Sequence, residues 1–350
     1  MKSRSFLPTA LITGGAGFVG TNLADCLLRT GGRVRILDDL SRPGVEANLT
    51  WLQQRHGAAL EVEVGDIRRP AVVDGALKGI KTAFHFAAQV AVTTSLDAPF
   101  ADAEVNVTGT LNLLEAARRQ SRPPVVLFTS TNKVYGSLDD LALVERADRY
   151  EPADPSAHGG VAEDRPLSFC TPYGCSKGAA DQYVIDWSRS YRVPTVVFRM
   201  SCIYGPHQQG NEDQGWVAHF ALSALQGEPI TVFGDGKQVR DILYVDDLIQ
   251  AFLIAEARAG EFAGRAFNIG GGPDNAVSLL DVIDLLATVR DEAPPVRYEP
   301  WRPGDQRYYV SDHSAFTRAT GWRPSVTPAE GVRLLHSWLL TERQAAQAAA

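Results

Sequence analysis

Tyr173 and Lys177 stand four residues apart in TPYGCSKGAADQY. On a helix that spacing puts both side chains on one face. A free tyrosine, with a pKa of about 10, is a poor base at neutral pH. A neighbouring ammonium, helped by a positively charged ligand, lowers that value and lets the phenol exchange a proton with a substrate hydroxyl. The plainer reading of the same spacing is an ordinary exposed helix pair. The run LFTSTNKVYG adds three hydroxyls, Thr129, Ser130 and Thr131, at the end of an apolar stretch. One of them is placed to hydrogen-bond a substrate oxygen that becomes a carbonyl; at least one must be simple polar capping of a strand end.

A second constellation is ALITGGAGFVGTNLADCLL, with Gly14, Gly17 and Gly20 between an apolar run and a helical pattern. Glycines there allow a tight turn and close approach of backbone to a pyrophosphate, which the free N–H groups of the helix start attract. Gly14, Gly17, Phe18, Val19 and Gly20 are the expected contacts. Asp38 closes the next apolar run, where a carboxylate accepts hydrogen bonds from an adenosine ribose. It also repels a 2′-phosphate, so NAD is favoured over NADP, although the nearby Arg42 blunts that argument. Asp66 and Ile67 follow the third run and face the adenine, unless Asp66 merely caps a turn.

The elements that must position these groups are legible as alternation. Candidate strands are 10–13, 34–37, 61–64, 83–86, 125–129 and 196–198, short and apolar as in strands buried on both faces of a parallel sheet. Helical patterns lie between them, the clearest over 105–119. The expected fold is α/β, a doubly wound parallel Rossmann-type sheet with a smaller C-terminal cap. Residues 8–200 form the dinucleotide-binding domain, with 230–275 partly returning to it. Residues 201–340, rich in Gly, Pro and charge, form mainly the substrate cap, and 341–350 an Ala-rich tail that is a fraying helix end or disordered.

Composition narrows the function. Hydrophobic residues make up 45% of the 350, enough for a large core, and the formal charge of -7 carries no overall basic footprint for nucleic acid. Cys26, Cys170, Cys175 and Cys202 form no CxxC pair and no zinc spacing, so reduced thiols and no metal are expected. No run reaches the ~20 apolar residues of a membrane span, and residues 1–15 hold no signal-peptide stretch. A soluble, cytoplasmic protein is the expectation.

TGGAGFVG, HFAAQV, NVTGT, TSTNKVYG, PYGCSK and VRDILYVDD together resemble the NAD-dependent epimerase/dehydratase family of extended short-chain dehydrogenases, from about residue 10 to residue 335. Within it, STNKVYG, PYGCSKGAADQY and EDQGWVAHF are most similar to epimerases that act at C-2 of CDP-linked hexoses. The resemblance implies Thr131 as the catalytic hydroxyl, Tyr173 as the base, and Lys177 as the residue that binds the nicotinamide ribose and tunes Tyr173. It implies Phe86, Ala87, Ala88 and Gln89 along the cofactor, with Asn106 nearby. Thr131 and Asn132 fall on the sugar side, and Arg240 and Arg302 hold the substrate diphosphate, a role that suits the guanidinium fork. As bare sequence, each arginine reads equally as a structural ion pair. The resemblance also implies a homodimer or homotetramer that packs helices 105–119 and 173–190.

Two departures matter. Ser201-Cys202 stands before IYGP where many relatives carry Asn. Asn132 and Lys133 replace the Asp-Glu pair by which sugar-nucleotide dehydratases eliminate water. The expected reaction is therefore epimerisation through a transient keto sugar. A 4-epimerase, or a decarboxylase or reductase on the same scaffold, is the alternative. A non-catalytic NAD-sensing regulator conflicts with the intact Thr131, Tyr173 and Lys177.

Overall fold

The computed structural model describes residues 9–302 and 304–349. Pro8, where the dinucleotide domain was expected to start, and Ala350, the last residue of the tail, lie outside them. Two compact units interleave along the sequence. The first takes the chain up to Thr131, then Thr171–Arg199 and Ile249–Ala266. The second takes Asn132–Cys170, Met200–Leu248 and the chain from Phe267 onward.

The first unit is built on strands of a seven-stranded sheet. Its order is Arg265–Ile269, Thr195–Met200, Val125–Thr131, Thr82–His85, Ala10–Thr13, Val34–Asp38, Leu60–Val64. Ala10–Thr13 pairs in parallel with Val34–Asp38 on one side and with Thr82–His85 on the other. The winding reverses there, and ligands of such sheets bind outside the carboxyl ends of the strands at that point. Thr13, Asp38, His85 and Thr131 all end their strands at this edge.

The inner strands are buried because helices cover both faces, which is why their sequences run largely apolar, whereas the edge strand Leu60–Val64 is mostly open and alternates. One layer of the core joins Leu11, Ala83, Val126 and Phe128 of the sheet to Leu113, Leu114, Ala180 and Val184 of two helices. The six sequence-predicted strands are all present, within two residues at either end.

Helix 105–119 is the element that departs from expectation. Glu104–Thr108 is a π turn, and the α-helix proper is Gly109–Arg118. The Thr110 hydroxyl donates to the Asn106 carbonyl at 2.6 Å, competing with the backbone ladder where the turn widens.

The second unit centres on Val239–Tyr244, which pairs antiparallel with Ala276–Ser278 and in parallel with Tyr308–Tyr309 and Cys202–Tyr204. Its helices are well signalled. Leu279–Arg290 opens on a capping box between Ser278 and Asp281. Trp216–Gln226 closes on Gly227 in the left-handed region. Val217, Phe220, Ile242, Val282 and Leu335 share its core. The last helix runs Pro328–Ala349, so the Ala-rich tail is helical as far as it is described. All four cysteines are free. No helix among the described residues is long and apolar enough to cross a membrane.

Candidate active site

The glycine turn is made by steric necessity. Gly14 has a φ of +68° and donates its N–H to the Leu37 carbonyl at 2.8 Å. A Cβ on Gly14 meets the Ala87 nitrogen at 2.7 Å, and one on Gly20 runs into the Gly14 carbonyl oxygen and, at 2.6 Å, the Gly15 Cα. All of these are backbone atoms, so nothing can move aside. The helix Phe18–Arg29 that follows has no side-chain cap and no acidic residue in its first turn. Its leading N–H groups are the kind an anion satisfies.

Asp38 leans into this turn. Ala16 N–H donates to one carboxylate oxygen at 3.0 Å and Leu40 N–H to the other at 2.9 Å. Burial nevertheless pushes its pKa up, against both bonds. Each oxygen keeps a lone pair for a further donor. Arg42, on the exposed turn beyond, bears electrostatically on both Asp38 and Tyr173. Asp66 is engaged by Arg68: the Arg68 guanidinium and backbone N–H both donate to it, and they hold its pKa down. Ile67 is buried, and its carbonyl accepts from Asn112.

The segment after the strand Thr82–His85 is tied back to the sheet. Phe86 N–H donates to the Thr13 carbonyl at 3.0 Å and Ala87 N–H to the Thr13 hydroxyl at 3.3 Å. Gln89 exchanges two bonds with the Asn106 side chain: its N–H donates to Oδ1 at 2.9 Å, and its carbonyl accepts from Nδ2 at 3.1 Å. Gln89 Oε1 is buried and makes no hydrogen bond. A cradle that only glycine fits, an uncapped helix start, and a carboxylate with spare acceptors at the second strand end suit a dinucleotide.

Thr131, Tyr173 and Lys177 come together in the same unit. The Thr131 hydroxyl hydrogen-bonds the Tyr173 phenol. Lys177 Nζ donates to the Thr129 carbonyl at 2.7 Å and lies 4.3 Å from the centre of the Phe128 ring. Burial dominates both pKa values. It raises Tyr173 to about 12, with Thr131 and Arg42 pulling the other way, and lowers Lys177 to about 7, with Asp181 and Asp102 opposing. The sequence reading gave Lys177 the task of lowering Tyr173. Thr131 and Arg42 both pull the Tyr173 pKa down, and Lys177 Nζ is held at the Thr129 carbonyl.

Asn132, Arg240 and Arg302 belong to the second unit. Asn132 is buried in the turn Asn132–Tyr135. Arg240 is buried and donates to Asp305 at 2.7 Å and to the Val239 and Gln306 carbonyls. Arg302 stacks on Phe233, 3.6 Å from the ring centre, and donates to the Glu212 carbonyl at 2.6 Å. Lys133 donates to Gln306 at 3.2 Å, and burial with Arg240 beside it lowers its pKa to about 8. Ser201 does not point to a free donor: its hydroxyl is taken by Asp241, a fully buried carboxyl that also accepts from Gly272 N–H at 3.0 Å.

Sequence reasoning missed the groups behind Tyr173 and Lys177. His85, Asp102 and Ser176 are each under 6% exposed. Ser176 and Asp102 both hydrogen-bond Asn106. The one available signal was the helical spacing of Asp102, Asn106 and Thr110 within a single face.

Residues 10–270 match the NAD dependent epimerase/dehydratase family. The chain is 42% identical to CDP-paratose 2-epimerase of Salmonella typhi, over 94% of this chain and 98% of that enzyme. It is 34% identical to UDP-glucose 4-epimerase of Mycolicibacterium smegmatis, over 92% and 95% of the two chains. Among solved structures, UDP-glucose 4-epimerase of Thermotoga maritima with UDP-glucose superposes with a TM-score of 0.81 at 29% identity, covering 96% of this chain and 99% of that one. A match over most of the length, on a glycine cradle and a Thr131–Tyr173–Lys177 cluster at the carboxyl edge of the sheet, settles membership: the chain belongs to the NAD dependent epimerase/dehydratase family.

Proposed function

We propose that this protein is an NAD-dependent nucleotide-sugar epimerase that inverts C-2 of a CDP-linked hexose, a CDP-paratose to CDP-tyvelose type of reaction. The observation that carries the reaction class is the buried Thr131–Tyr173–Lys177 cluster. Likeness to the Salmonella typhi enzyme carries the carbon and the base. Bound NAD supplies a two-electron acceptor and donor. The backbone of Gly14, Gly17, Phe18, Val19 and Gly20 receives its diphosphate and Asp38 a ribose. Asp66 and Ile67 lie toward the adenine, and Phe86, Ala87, Ala88, Gln89 and Asn106 along the rest.

Tyr173 takes the hydroxyl proton as the ring carbon becomes a ketone, and returns it when the alcohol reforms on the opposite face. Thr131 orients that hydroxyl, and its bond to the phenol favours the phenolate. Lys177 as an ammonium favours the same state. Asn132 lies on the sugar side, and Arg240 and Arg302 hold the diphosphate while the ring turns between faces. Each arginine is already fixed by protein partners, which keeps its guanidinium oriented for a second anion. Asn132 and Lys133 offer no carboxyl pair to expel a hydroxyl, which disfavours dehydration. In this reading the protein is cytoplasmic, a homodimer or homotetramer, and has no nucleic-acid partner.

NMR of the product after incubation with CDP-paratose or CDP-tyvelose tests the assignment. Inversion at C-2, with no deuterium there when the reaction runs in D2O, is the expected result. Inversion at C-4 alone sinks the choice of carbon, and solvent deuterium at the inverted centre sinks the keto-sugar route.

A further inference from the structure

Asp102 is a buried carboxylate beside the acid–base pair that the proton exchange above does not use. It lies on the short helix Pro99–Ala103 and is 1% exposed. Its Oδ1 accepts from Asn106 Nδ2 at 3.2 Å, and the Ser176 side chain hydrogen-bonds the same carboxylate. Asn106 Nδ2 also lies 3.0 Å from Ser176 Oγ, which is 3.2 Å from the Tyr173 carbonyl. Asp102, Asn106 and Ser176 are thus knotted onto the first turn of the helix Thr171–Tyr191. Asp102 Oδ2 is buried and makes no hydrogen bond. A carboxylate with a bare buried oxygen is costly unless a cation stands by it. The nearby cation is Lys177, next in sequence to Ser176; the two form no direct ion pair, and each favours the charged form of the other through space.

We propose that Asp102 is a positioning residue for the acid–base pair: its bonds to Asn106 and Ser176 fix the turn that carries Tyr173, and they hold its negative charge on the side of Lys177. The role rests on Tyr173 and Lys177 being the working pair. The other groups that face them have different duties. Asp181 bears on Lys177, but Arg199 donates to both of its oxygens at 3.0 Å. His85 faces Lys177 from the sheet and is held neutral by burial. Thr131 and Arg42 face Tyr173, and Asp38 faces Arg42. Asp102 is the carboxylate near Lys177 whose second oxygen is uncommitted.

Asp102→Asn keeps the shape and an accepting oxygen and removes the charge. Losing that charge makes Lys177 easier to deprotonate and Tyr173 easier to ionise. In the full-length protein, both limbs of kcat against pH should therefore move acid by about one unit. A packing role alone lowers kcat equally at every pH. Thermal melting at pH 6 gives a second readout that needs no turnover. Asp102→Asn should lower Tm in the wild type, and lower it less, or raise it, in a Lys177→Met background where the carboxylate has lost its cation. Limbs that stay in place, or equal losses of Tm in both backgrounds, overturn the proposal. If CDP-sugars are not turned over at any pH, the proposed function fails, and the melting cycle still decides the role of Asp102.

Discussion

The glycine turn and the Tyr173–Lys177 cluster occupy the same edge of one sheet and hold their geometry by opposite means. In the turn, shape is enforced by what is missing: any Cβ at Gly14 or Gly20 strikes backbone. In the cluster, shape and charge are enforced by what is present: a buried phenol, a buried amine, and the hydroxyls, carbonyl and carboxylates around them. A steric device fails abruptly when one atom is added. An electrostatic device fails by degrees, and its failure depends on pH.

The largest effect should therefore come from the smallest change. Gly20→Ala adds one carbon where no flexible side chain can yield, and should cost about 3 kcal/mol or more of stability. Melting with and without NAD should show a lower Tm and little stabilisation by the cofactor. A variant that melts like the wild type and still gains Tm from NAD would remove the steric half of the comparison.

Tyr173→Phe tests the other half. It removes a single oxygen from a side chain that stays buried, so the fold should survive while turnover falls by at least ~10²-fold. Circular dichroism and kcat together make the check. Near-normal kcat would require a base other than Tyr173.

Much of this was legible in the sequence, and for a physical reason. Ala10–Thr13 and Val34–Asp38 are buried on both faces, so their residues are mostly apolar, and the strand ends follow. Gly14 and Gly20 are legible because no other residue fits. Thr131, Tyr173 and Lys177 are brought together as the spacing and the resemblance implied. Asp102 was not, because a lone Asp on a short helix looks like a surface residue until the fold buries it. The π turn at Glu104–Thr108 was hidden as well: Val105 and Asn106 carry an unbroken helical pattern, and only the Thr110 bond to the Asn106 carbonyl marks the extra residue. Nor does composition record that 132–170 groups with the second unit, since the segment lies between two strands of the first.

His85 joins the two regions and supplies an intermediate test. Its Nδ1 lies 2.7 Å from the Thr13 hydroxyl and its Nε2 3.0 Å from the Thr110 hydroxyl. Thr110 already donates to Asn106, so Nε2 must donate to Thr110 and Nδ1 must accept from Thr13. Burial, with Lys177 beside it, lowers the pKa from 6.5 to about 3. The unfolded chain takes up this proton near pH 6.5 and the folded chain only near 3. Between those values the unfolded state binds more protons, so stability falls as pH falls, by about 2 kcal/mol at pH 5. His85→Gln should flatten the dependence of Tm on pH over that window. An unchanged slope would show that the wire from the glycine turn to Asn106 does not run through a neutral imidazole.

The smallest effect is expected at Asp38, the one charged side chain inside the turn that glycine shapes. Its carboxylate does both kinds of work. It accepts from Ala16 and Leu40 N–H groups, which helps fix the backbone, and in the proposed reading its charge faces a ribose of the cofactor. Asp38→Asn separates the two. The amide oxygen can keep one of the backbone bonds, while the negative charge is lost and an N–H pair now confronts the second donor. Because burial already raises the Asp38 pKa, the charge is held at a cost, and removing it returns some stability to the fold. Tm should then change little. NAD affinity should fall by about tenfold, the equivalent of one good hydrogen bond to a charged acceptor. Discrimination against NADP should shrink further still, since the repulsion that excludes a 2′-phosphate has gone. Isothermal titration with both cofactors reads the two changes separately. Equal losses for NAD and NADP would mean that Asp38 shapes the turn without selecting the ligand, and the selection would have to be assigned to Arg42, which bears on it electrostatically.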